Sequence, residues 1–223
     1  MFSLRSHPHW PLSAEAVKNN VRTSLLPGVS AAIPTLNAGR TLPATLVALA
    51  GAVSDIVVAD GGSTDGTPDL AASLGARVIE ARRGRGPQLA DAVSAARGDW
   101  LLLLHADTRL ESGWAEAARS HIESNTGRAG FFRFALDSAD PRARRLERVV
   151  AWRCRRLGLP YGDQGLLIRR ELLAQVGGIS PLPLMEDVDL VRRLGRRRLA
   201  ALTPRAITSA ERWERDGWRL RSA

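Results

Sequence analysis

Acidic residues follow two apolar runs in the first half of the chain, where strand ends could present them to a ligand. Asp60 ends the run 55–60 and precedes two glycines and a Ser-Thr-Asp turn; Asp107 comes shortly after the run 100–104. Ligands of open α/β sheets bind at the carboxyl ends of strands, so both carboxylates are expected at the rim of one site. Two acidic strand ends in one sheet are better explained by a nucleotide or metal site than by two unrelated, well-capped turns.

His105 and Asp107 are two residues apart, so their side chains point the same way from an extended backbone. One imidazole and one carboxylate could hold a divalent cation beside a diphosphate, where the cation would neutralise the charge of the leaving group. His105 is equally well explained as a hydrogen-bonded histidine at a strand end. The residues alone leave its role open.

Three further carboxylates, Glu186, Asp187 and Asp189, stand at the start of a predicted helix. The helix dipole favours acidic residues in a first turn, so capping is the simpler interpretation. A carboxylate at this place could also accept the proton of an attacking hydroxyl.

The elements that must position these residues alternate between strand and helix up to Asp107, which is typical of a parallel sheet covered by helices. The first half contains predicted strands at 29–34, 55–59, 76–79 and 100–104 and predicted helices at 41–50, 67–74 and 87–96. The second half is mixed, with predicted strands at 129–136, 165–168 and 199–207 and helices at 141–157, 171–176 and 186–194.

Length and composition fit a single globular domain. The chain has 223 residues, 44% of them hydrophobic, and contains no apolar run long enough to cross a bilayer. We expect residues 1–27 to form a poorly ordered leader that is not a signal peptide, and 28–223 to form the domain. The single cysteine, Cys154, fits a reducing compartment, so a cytoplasmic location is expected.

The formal net charge of +9 comes almost wholly from arginine, because Lys18 is the only lysine. This excess favours phosphorylated ligands, anionic lipid or other polyanions. Nucleic acid is not an expected partner, because the sequence has no helix-turn-helix or zinc-ligand spacing and only 5% aromatic residues. A catalytically inactive protein that binds nucleotides or polyanions remains an alternative.

Four segments, in this order, resemble the inverting family-2 glycosyltransferases with the GT-A fold, a resemblance that covers about residues 28–215. The segments are IPTLNAGRTL, VVADGGSTDGT, LLLLHADTRL and MEDVDLVRRL. Three more, RGRGPQLADAVSAARGDWLLLLHADT, GLPYGDQGLLIRRELLAQVGGI and TSAERWERDGW, are similar to a compact bacterial subgroup associated with radical-SAM genes and arsenosugar biosynthesis.

The resemblance implies an α/β fold with a Rossmann-like, mostly parallel sheet and helices on both faces. It also implies a nucleotide-diphosphate sugar donor, Mg²⁺ or Mn²⁺, and one displacement that inverts the anomeric carbon of the sugar. A sugar nucleotidyltransferase shares this architecture but is disfavoured, because its glycine-rich loop should follow the first strand, where the chain reads Ile-Pro-Thr-Leu-Asn.

Roles for individual residues also follow from the resemblance. The nucleotide-sugar site would comprise Thr35, Asn37, Asp60, Arg85 and Asp107. Asp107 would bind the metal, with His105 in place of the first acid of the family's Asp-x-Asp motif. Asp187 would be the catalytic base, with Glu186 as its acidic neighbour. The acceptor side would comprise Tyr161, Asp163, Gln164 and Trp213.

The acceptor could be a small molecule or a lipid-linked one. The predicted helix 141–157 carries an apolar stripe between arginines, comprising Leu146, Val149, Val150, Cys154 and Leu157. Such a stripe more often packs onto its own domain. The alternative is a helix at the surface of the inner membrane that recruits a lipid-phosphate acceptor.

Overall fold

The computed structural model describes residues 26–124 and 127–218. Eight strands form one sheet in this part of the chain. They are β1 (Leu26–Thr35), β2 (Val53–Asp60), β3 (Arg77–Glu80), β4 (Trp100–Leu103), β5 (Thr108–Leu110), β6 (Ala129–Asp137), β7 (Leu166–Arg169) and β8 (Leu199–Ser209).

Helices cover both faces of this sheet. They are α1 (Leu42–Leu49), α2 (Thr67–Ser73), α3 (Arg85–Ala95), α4 (Trp114–Ser124), α5 (Pro141–Leu157), α6 (Arg170–Gln175), α7 (Glu186–Leu194) and α8 (Glu211–Asp216). Short 3-10 helices occur at Gly162–Gln164 and Arg196–Arg198. Within the described ranges, none of the helices is both long and apolar enough to span a bilayer.

The strand order is β3-β2-β1-β4-β7-β6-β8-β5. The first four of these strands run parallel, so β1, β2 and β4 end at the same edge of the sheet. Strand β7 is antiparallel to both of its neighbours, and β6 and β8 pair in parallel. This arrangement confirms the predicted α/β fold and its parallel first half.

Two apolar clusters lie on opposite faces of the sheet because strand residues alternate in direction. Along β1, Ala31 and Ile33 belong to one cluster and Ala32 to the other. All three are fully buried, which explains why the run is apolar without alternation. Burial on both faces fixes the register of the strand whose end carries Thr35.

Some boundaries differ from the predicted ones. Strand β1 begins at Leu26, so the predicted leader 1–27 lies outside the described residues except for Leu26 and Pro27. Strand β5 and helices α4 and α8 are not among the elements predicted from the sequence. Helix α4 buries mainly alanines and one histidine behind Trp114, which gives a weak apolar period, and β5 and α8 are too short to show one.

Helix α5 divides the stripe that the sequence predicted. Its N-cap is Asp140, whose Oδ1 accepts a hydrogen bond of 2.8 Å from the Arg142 N–H, and it ends at Gly158 with φ of 65°. The inner face packs onto β6 through Leu146, Val150 and Cys154. Val149 and Leu157 instead remain exposed, so self-packing accounts for only part of the stripe.

Candidate active site

The loop after β2 is organised around the carboxylate of Asp60. This group accepts hydrogen bonds from the Thr35 hydroxyl at 2.9 Å and from Ser63, through its N–H at 2.7 Å and its hydroxyl at 2.5 Å. Burial alone would raise the pKa of Asp60, but these bonds and one from Gly62 outweigh it and lower the pKa. Asp60 is therefore a charged anchor of the loop.

Asn37 joins the loops that follow β1 and β2. Its N–H donates to the Ser63 hydroxyl at 2.8 Å, and its Oδ1 accepts from the Thr64 N–H at 2.9 Å. Its φ of 51° lies in the left-handed region, which asparagine tolerates better than most residues. The structure thus brings Thr35, Asn37 and Asp60 together at one corner of the sheet.

Gln88 makes a third connection at this corner, and it is not among the site residues predicted from the sequence. Its Nε2 donates to the Thr35 carbonyl at 2.5 Å and to the Ala59 carbonyl at 3.0 Å, so one buried amide bridges β1 and β2. A Cβ on Gly61 would lie 2.9 Å from that Nε2, which leaves no room for a side chain there. A glutamine in a helix's first turn gives no sequence signal for this contact.

An open cleft of about 820 Å³ lies at the carboxyl ends of these strands. The side chains from the predicted nucleotide site that line it are Thr35, Asn37, Arg85 and Asp107. Arginines outnumber carboxylates along its walls, and guanidinium groups are good ligands for a diphosphate. The arginines are Arg40, Arg83, Arg85, Arg212 and Arg215, and the carboxylates are Asp107 and Glu211.

Asp107 faces this cleft between β4 and β5. Its Oδ2 lies 3.5 Å from Nη2 of Arg212, a residue of α8. Nothing in the sequence indicated that Arg212 would lie beside Asp107. His105 packs against Gly162, where an added Cβ would collide with the imidazole Nε2 and lie 2.8 Å from Asp187 Oδ2. Burial first, and then the charge of Arg85, lowers the pKa of His105, so its imidazole is neutral.

The donor set fits a metal that arrives with a diphosphate better than one held by protein alone. In residues 26–124 and 127–218, no three His, Cys, Asp or Glu side chains are grouped to hold a metal ion. Mg²⁺ and related ions are commonly bound through one or two carboxylates together with substrate phosphates. Asp107 provides such a carboxylate, and the neutral imidazole of His105 lies two residues away.

Glu186 and Asp187 begin α7 on the other side of His105. Glu186 is 1% exposed, and its Oε1 lies 3.1 Å from Nε of Arg85. Burial raises the pKa of Glu186, and the charge of Arg85 opposes that rise. The preceding residue, Met185, has a φ of 67°, a strained value for a residue that is not glycine.

The Asp187 carboxylate is held by two backbone donors. Its Oδ2 accepts the Gly162 N–H at 2.6 Å, and its Oδ1 accepts the Val188 N–H at 2.8 Å. Each carboxylate oxygen has two lone pairs, so both oxygens can still accept a proton. Asp189 turns away and accepts bonds from the Ser180 hydroxyl at 2.6 Å and from Arg193 Nε at 2.9 Å.

The predicted acceptor residues Tyr161, Asp163 and Gln164 lie on or next to the 3-10 helix that carries Gly162. The Arg153 guanidinium lies 3.5 Å from the centroid of the Tyr161 ring. Burial raises the pKa of Asp163 to about 7 against the opposing charge of Arg153. Gln164 is a structural bridge, because its Nε2 donates to the Phe132 carbonyl at 2.9 Å.

A second, much smaller cavity of about 30 Å³ lies beside Asp187 and Tyr161. It has room for about one water molecule and not for a sugar. His105 and Pro34 line both this cavity and the large cleft, so the space beside Asp187 adjoins the donor side.

Trp213 is not brought to either space. Its ring lies 6.5 Å from that of Phe134, in the apolar cluster under α5. Its neighbour Arg212 instead lines the cleft, because adjacent residues on a helix point in different directions.

The sheet order, the loop around Asp60 and the arginine-lined cleft define an α/β protein of the GT-A type. The chain belongs to glycosyl transferase family 2, because residues 30–178, more than half of its length, match that family. The predicted membership of family 2 and the predicted GT-A fold are therefore confirmed.

Several solved structures share the fold of this chain. Mannosyl-3-phosphoglycerate synthase from Rubrobacter xylanophilus has a TM-score of 0.58 at 21% identity, covering 86% of this chain and 68% of that one. Glucosyl-3-phosphoglycerate synthase from Mycobacterium tuberculosis, solved with Mn²⁺, UDP and glucosyl-3-phosphoglycerate, has a TM-score of 0.58 at 20% identity, covering 91% and 77%. PcManGT, a mannosyltransferase from Pyrobaculum calidifontis solved with GDP-Man and Mn²⁺, has a TM-score of 0.61 at 20% identity, covering 86% and 61%.

Sequence relatives match only in part. A PGL/p-HBAD biosynthesis glycosyltransferase from Mycobacterium bovis (strain BCG) is 40% identical over an alignment of 94 residues that covers 38% of this chain and 37% of the relative. The match thus spans little more than a third of that relative.

Proposed function

We propose that this glycosyltransferase moves a sugar from a nucleotide-diphosphate donor to a hydroxyl acceptor and inverts the anomeric carbon. The observation that carries this proposal is the position of Arg85. Its side chain lines the donor cleft and also lies 3.1 Å from Glu186 and 4.0 Å from Asp187. A diphosphate bound by Arg85 would therefore lie next to the acidic pair of α7.

The nucleotide would bind at the corner made by Thr35, Asn37 and the loop held by Asp60. The arginines of the cleft would bind the diphosphate by charge-assisted hydrogen bonds. Neighbouring structures were solved with UDP-glucose and GDP-mannose, so uridine and guanosine diphosphate sugars are the first donors to test.

Asp107 would hold a divalent cation, Mg²⁺ or Mn²⁺, against the donor diphosphate. When bound, the cation would offset the negative charge that develops on the leaving nucleoside diphosphate. His105 borders this place and would shape it, or supply a nitrogen ligand, as a neutral imidazole.

Asp187 would accept the proton of the acceptor hydroxyl as its oxygen attacks the anomeric carbon. The new carbon–oxygen bond forms while the bond to the diphosphate breaks, and the nucleoside diphosphate leaves from the opposite face. Glu186, buried against Arg85, would position that arginine. The Gly162 N–H would keep the Asp187 carboxylate in place for the proton transfer.

The acceptor would bind beside Tyr161 and Asp163. Oδ1 of Asp163 and Nη2 of Arg153 are buried and have no hydrogen-bond partner among the described residues, so both could bind hydroxyl groups. An arsenosugar precursor and a lipid-linked hydroxyl are the two acceptor classes that the sequence suggests.

A thermal-shift screen of sugar nucleotides with and without Mn²⁺ tests the donor assignment, because specific binding stabilises the fold. We expect at least one uridine or guanosine diphosphate sugar to raise Tm more with Mn²⁺ than without it. Proton NMR of the transferred product then tests inversion. A product that keeps the donor's anomeric configuration contradicts the mechanism. Absence of any donor effect would favour an inactive polyanion-binding protein.

A further inference from the structure

Helix α5 presents an apolar and basic face to solvent. Val149 is 60% exposed and Trp152 is 52% exposed. Arg145 and Arg156 are exposed on the same face, because positions 145, 149, 152 and 156 follow the three- and four-residue spacing of a helix. Large apolar side chains between arginines are typical of a helix that lies in a membrane interface.

A basic groove of about 810 Å³ runs beside this face, between α5 and strands β6 and β8. Arg148 and Arg155 line it from the helix, and Arg133 lines it from the sheet. Its floor includes the apolar side chains of Phe131 and Leu199. The groove and the outer face of α5 therefore form one continuous surface, which we call the α5 surface.

The charge of the α5 surface is only partly compensated, because Arg144 pairs with Glu147 and Arg205 pairs with Glu111 from outside the groove. Among the described residues that line the groove, seven are arginines and one, Glu147, is acidic. That carboxylate is already used, since it lies 2.7 Å from Nη1 of Arg144 and accepts the Leu136 N–H at 2.9 Å. An anionic partner would therefore be attracted to the groove.

Two occupants from the protein itself are disfavoured by charge. Residues 1–25 carry three basic side chains and one acidic side chain, so they have the same sign as the groove. A second copy docked through the same surface would bring the same arginines together. The exposed Trp152 and Val149, which phosphate groups alone would not cover, favour lipid over nucleic acid as the anionic partner.

We propose that the α5 surface docks on an anionic lipid bilayer. The groove arginines would contact lipid phosphates, and Trp152 and Val149 would enter the interfacial layer. The inner end of the groove reaches the acceptor side, because Cys154 Sγ lies 3.2 Å from Oε1 of Gln164, next to Asp163. Docking would therefore place the acceptor side of the enzyme near the lipid surface.

Co-sedimentation with vesicles tests this proposal without any sugar donor, so its result is independent of the proposed reaction. We expect the purified protein to bind vesicles of phosphatidylcholine mixed with phosphatidylglycerol about tenfold or more tightly than phosphatidylcholine alone, because several arginines act together. High salt should remove most of this binding. Equal binding to both kinds of vesicle, or to neither, overturns the proposal.

Paired variants locate the surface. Arg148→Glu with Arg155→Glu should lower anionic-vesicle binding by about tenfold or more. Arg97→Glu with Arg192→Glu changes the net charge equally at exposed positions outside the groove and should change binding by less than about twofold. Equal losses in both pairs would show that net charge alone attracts the protein, which overturns the assignment of the surface.

Trp152→Ser tests the apolar part of the α5 surface. It should weaken vesicle binding while leaving Tm unchanged, because the ring is half-exposed. Unchanged vesicle binding in this variant, or tight binding of single-stranded DNA without binding of anionic vesicles, would overturn the choice of lipid as the partner.

Discussion

Asp187 owes its orientation to backbone groups and not to a charged neighbour in close contact. The N–H groups of Gly162 and Val188 each occupy one of its oxygens, at 2.6 and 2.8 Å, whereas the nearest guanidinium nitrogen of Arg85 is 4.0 Å away. A carboxylate held in this way keeps its direction while its remaining lone pairs accept a proton. Asp189, two residues later, instead accepts hydrogen bonds from Ser180 and Arg193.

Asp187→Asn should lower kcat by about a hundredfold or more and leave donor affinity nearly unchanged, because general-base catalysis contributes about 10²–10⁴. The change keeps the shape of the side chain and removes its basicity. Steady-state kinetics and calorimetric titration of the donor measure the two quantities. Asp189→Asn is the matched control and should cost much less activity. A near-parental rate in Asp187→Asn would contradict its assignment as the base.

Asp107→Ala should abolish the Mn²⁺-dependent part of donor affinity and leave the fold intact. Within the described part of the chain, the ion pair that this change removes is a 3.5 Å contact with the half-exposed Arg212, so little stability is lost. Titration of the donor with and without Mn²⁺ measures the effect. Mn²⁺-dependent affinity equal to the parent's would contradict the metal assignment.

His105→Asp restores the acid that the family has at this position and should preserve or strengthen the metal dependence of donor binding. A loss of donor binding in this variant would give His105 another role. Its imidazole Nε2 faces Gly162 beside Asp187, so that role would be packing between the donor cleft and the base.

At the scale of elements, the site depends on the contact of the 3-10 helix Gly162–Gln164 with the first turn of α7. Gly162 makes this contact possible by having no side chain where His105 and Asp187 approach it. The helix is fixed on its other side by the Thr208 hydroxyl, which donates to the Asp163 carbonyl at 3.1 Å. Movement of either element would therefore displace the Asp187 carboxylate.

Gly162→Ala should lower kcat by about tenfold to a hundredfold, because an ångström-scale displacement of a catalytic group has effects of this size. Donor affinity should change much less. Gly178→Ala is the control for a loss of stability without displacement of the site. Alanine is strained at the φ of 71° that Gly178 adopts, but the added Cβ would meet no atom within 4 Å. Equal loss of kcat in both variants would show that general destabilisation explains the effect. Kinetics together with thermal melts separate the two causes.

At the scale of the whole molecule, buried acids make stability depend on pH. The folded-state pKa of Asp163 is about 7, far above the unfolded value of about 3.8, so the folded state favours the protonated carboxyl. Its contribution to stability is fully present below pH of about 4 and is lost as pH rises to about 7. Glu186, whose pKa is also raised, acts in the same direction.

Asp163→Asn should therefore raise Tm relative to the parent at pH 8 more than at pH 5, because asparagine cannot ionise. Thermal melts of both proteins at the two pH values measure this difference. A difference in Tm that is the same at both pH values would contradict the raised pKa of Asp163.

The sequence by itself determined the parts of this protein that depend on local patterns. Apolar runs and helical spacing identified the alternating elements, and acids after strand ends placed Asp60 and Asp107 at the edge of the sheet where β2 and β4 end. Both inferences work because strand direction and side-chain alternation are fixed by nearby residues. The motifs of the family then supplied Asp187, which its local pattern could not distinguish from a capping residue.

Tertiary structure alone decided the contacts between residues far apart in the chain. Gln88 bridges β1 and β2, Arg212 reaches Asp107, and the Gly162 N–H holds Asp187. Trp213, expected on the acceptor side, packs against Phe134, and two of the five residues in the predicted stripe of α5 face solvent. Such contacts depend on how separate elements dock, which is set by the shape and burial of whole surfaces and leaves no periodic trace in the sequence.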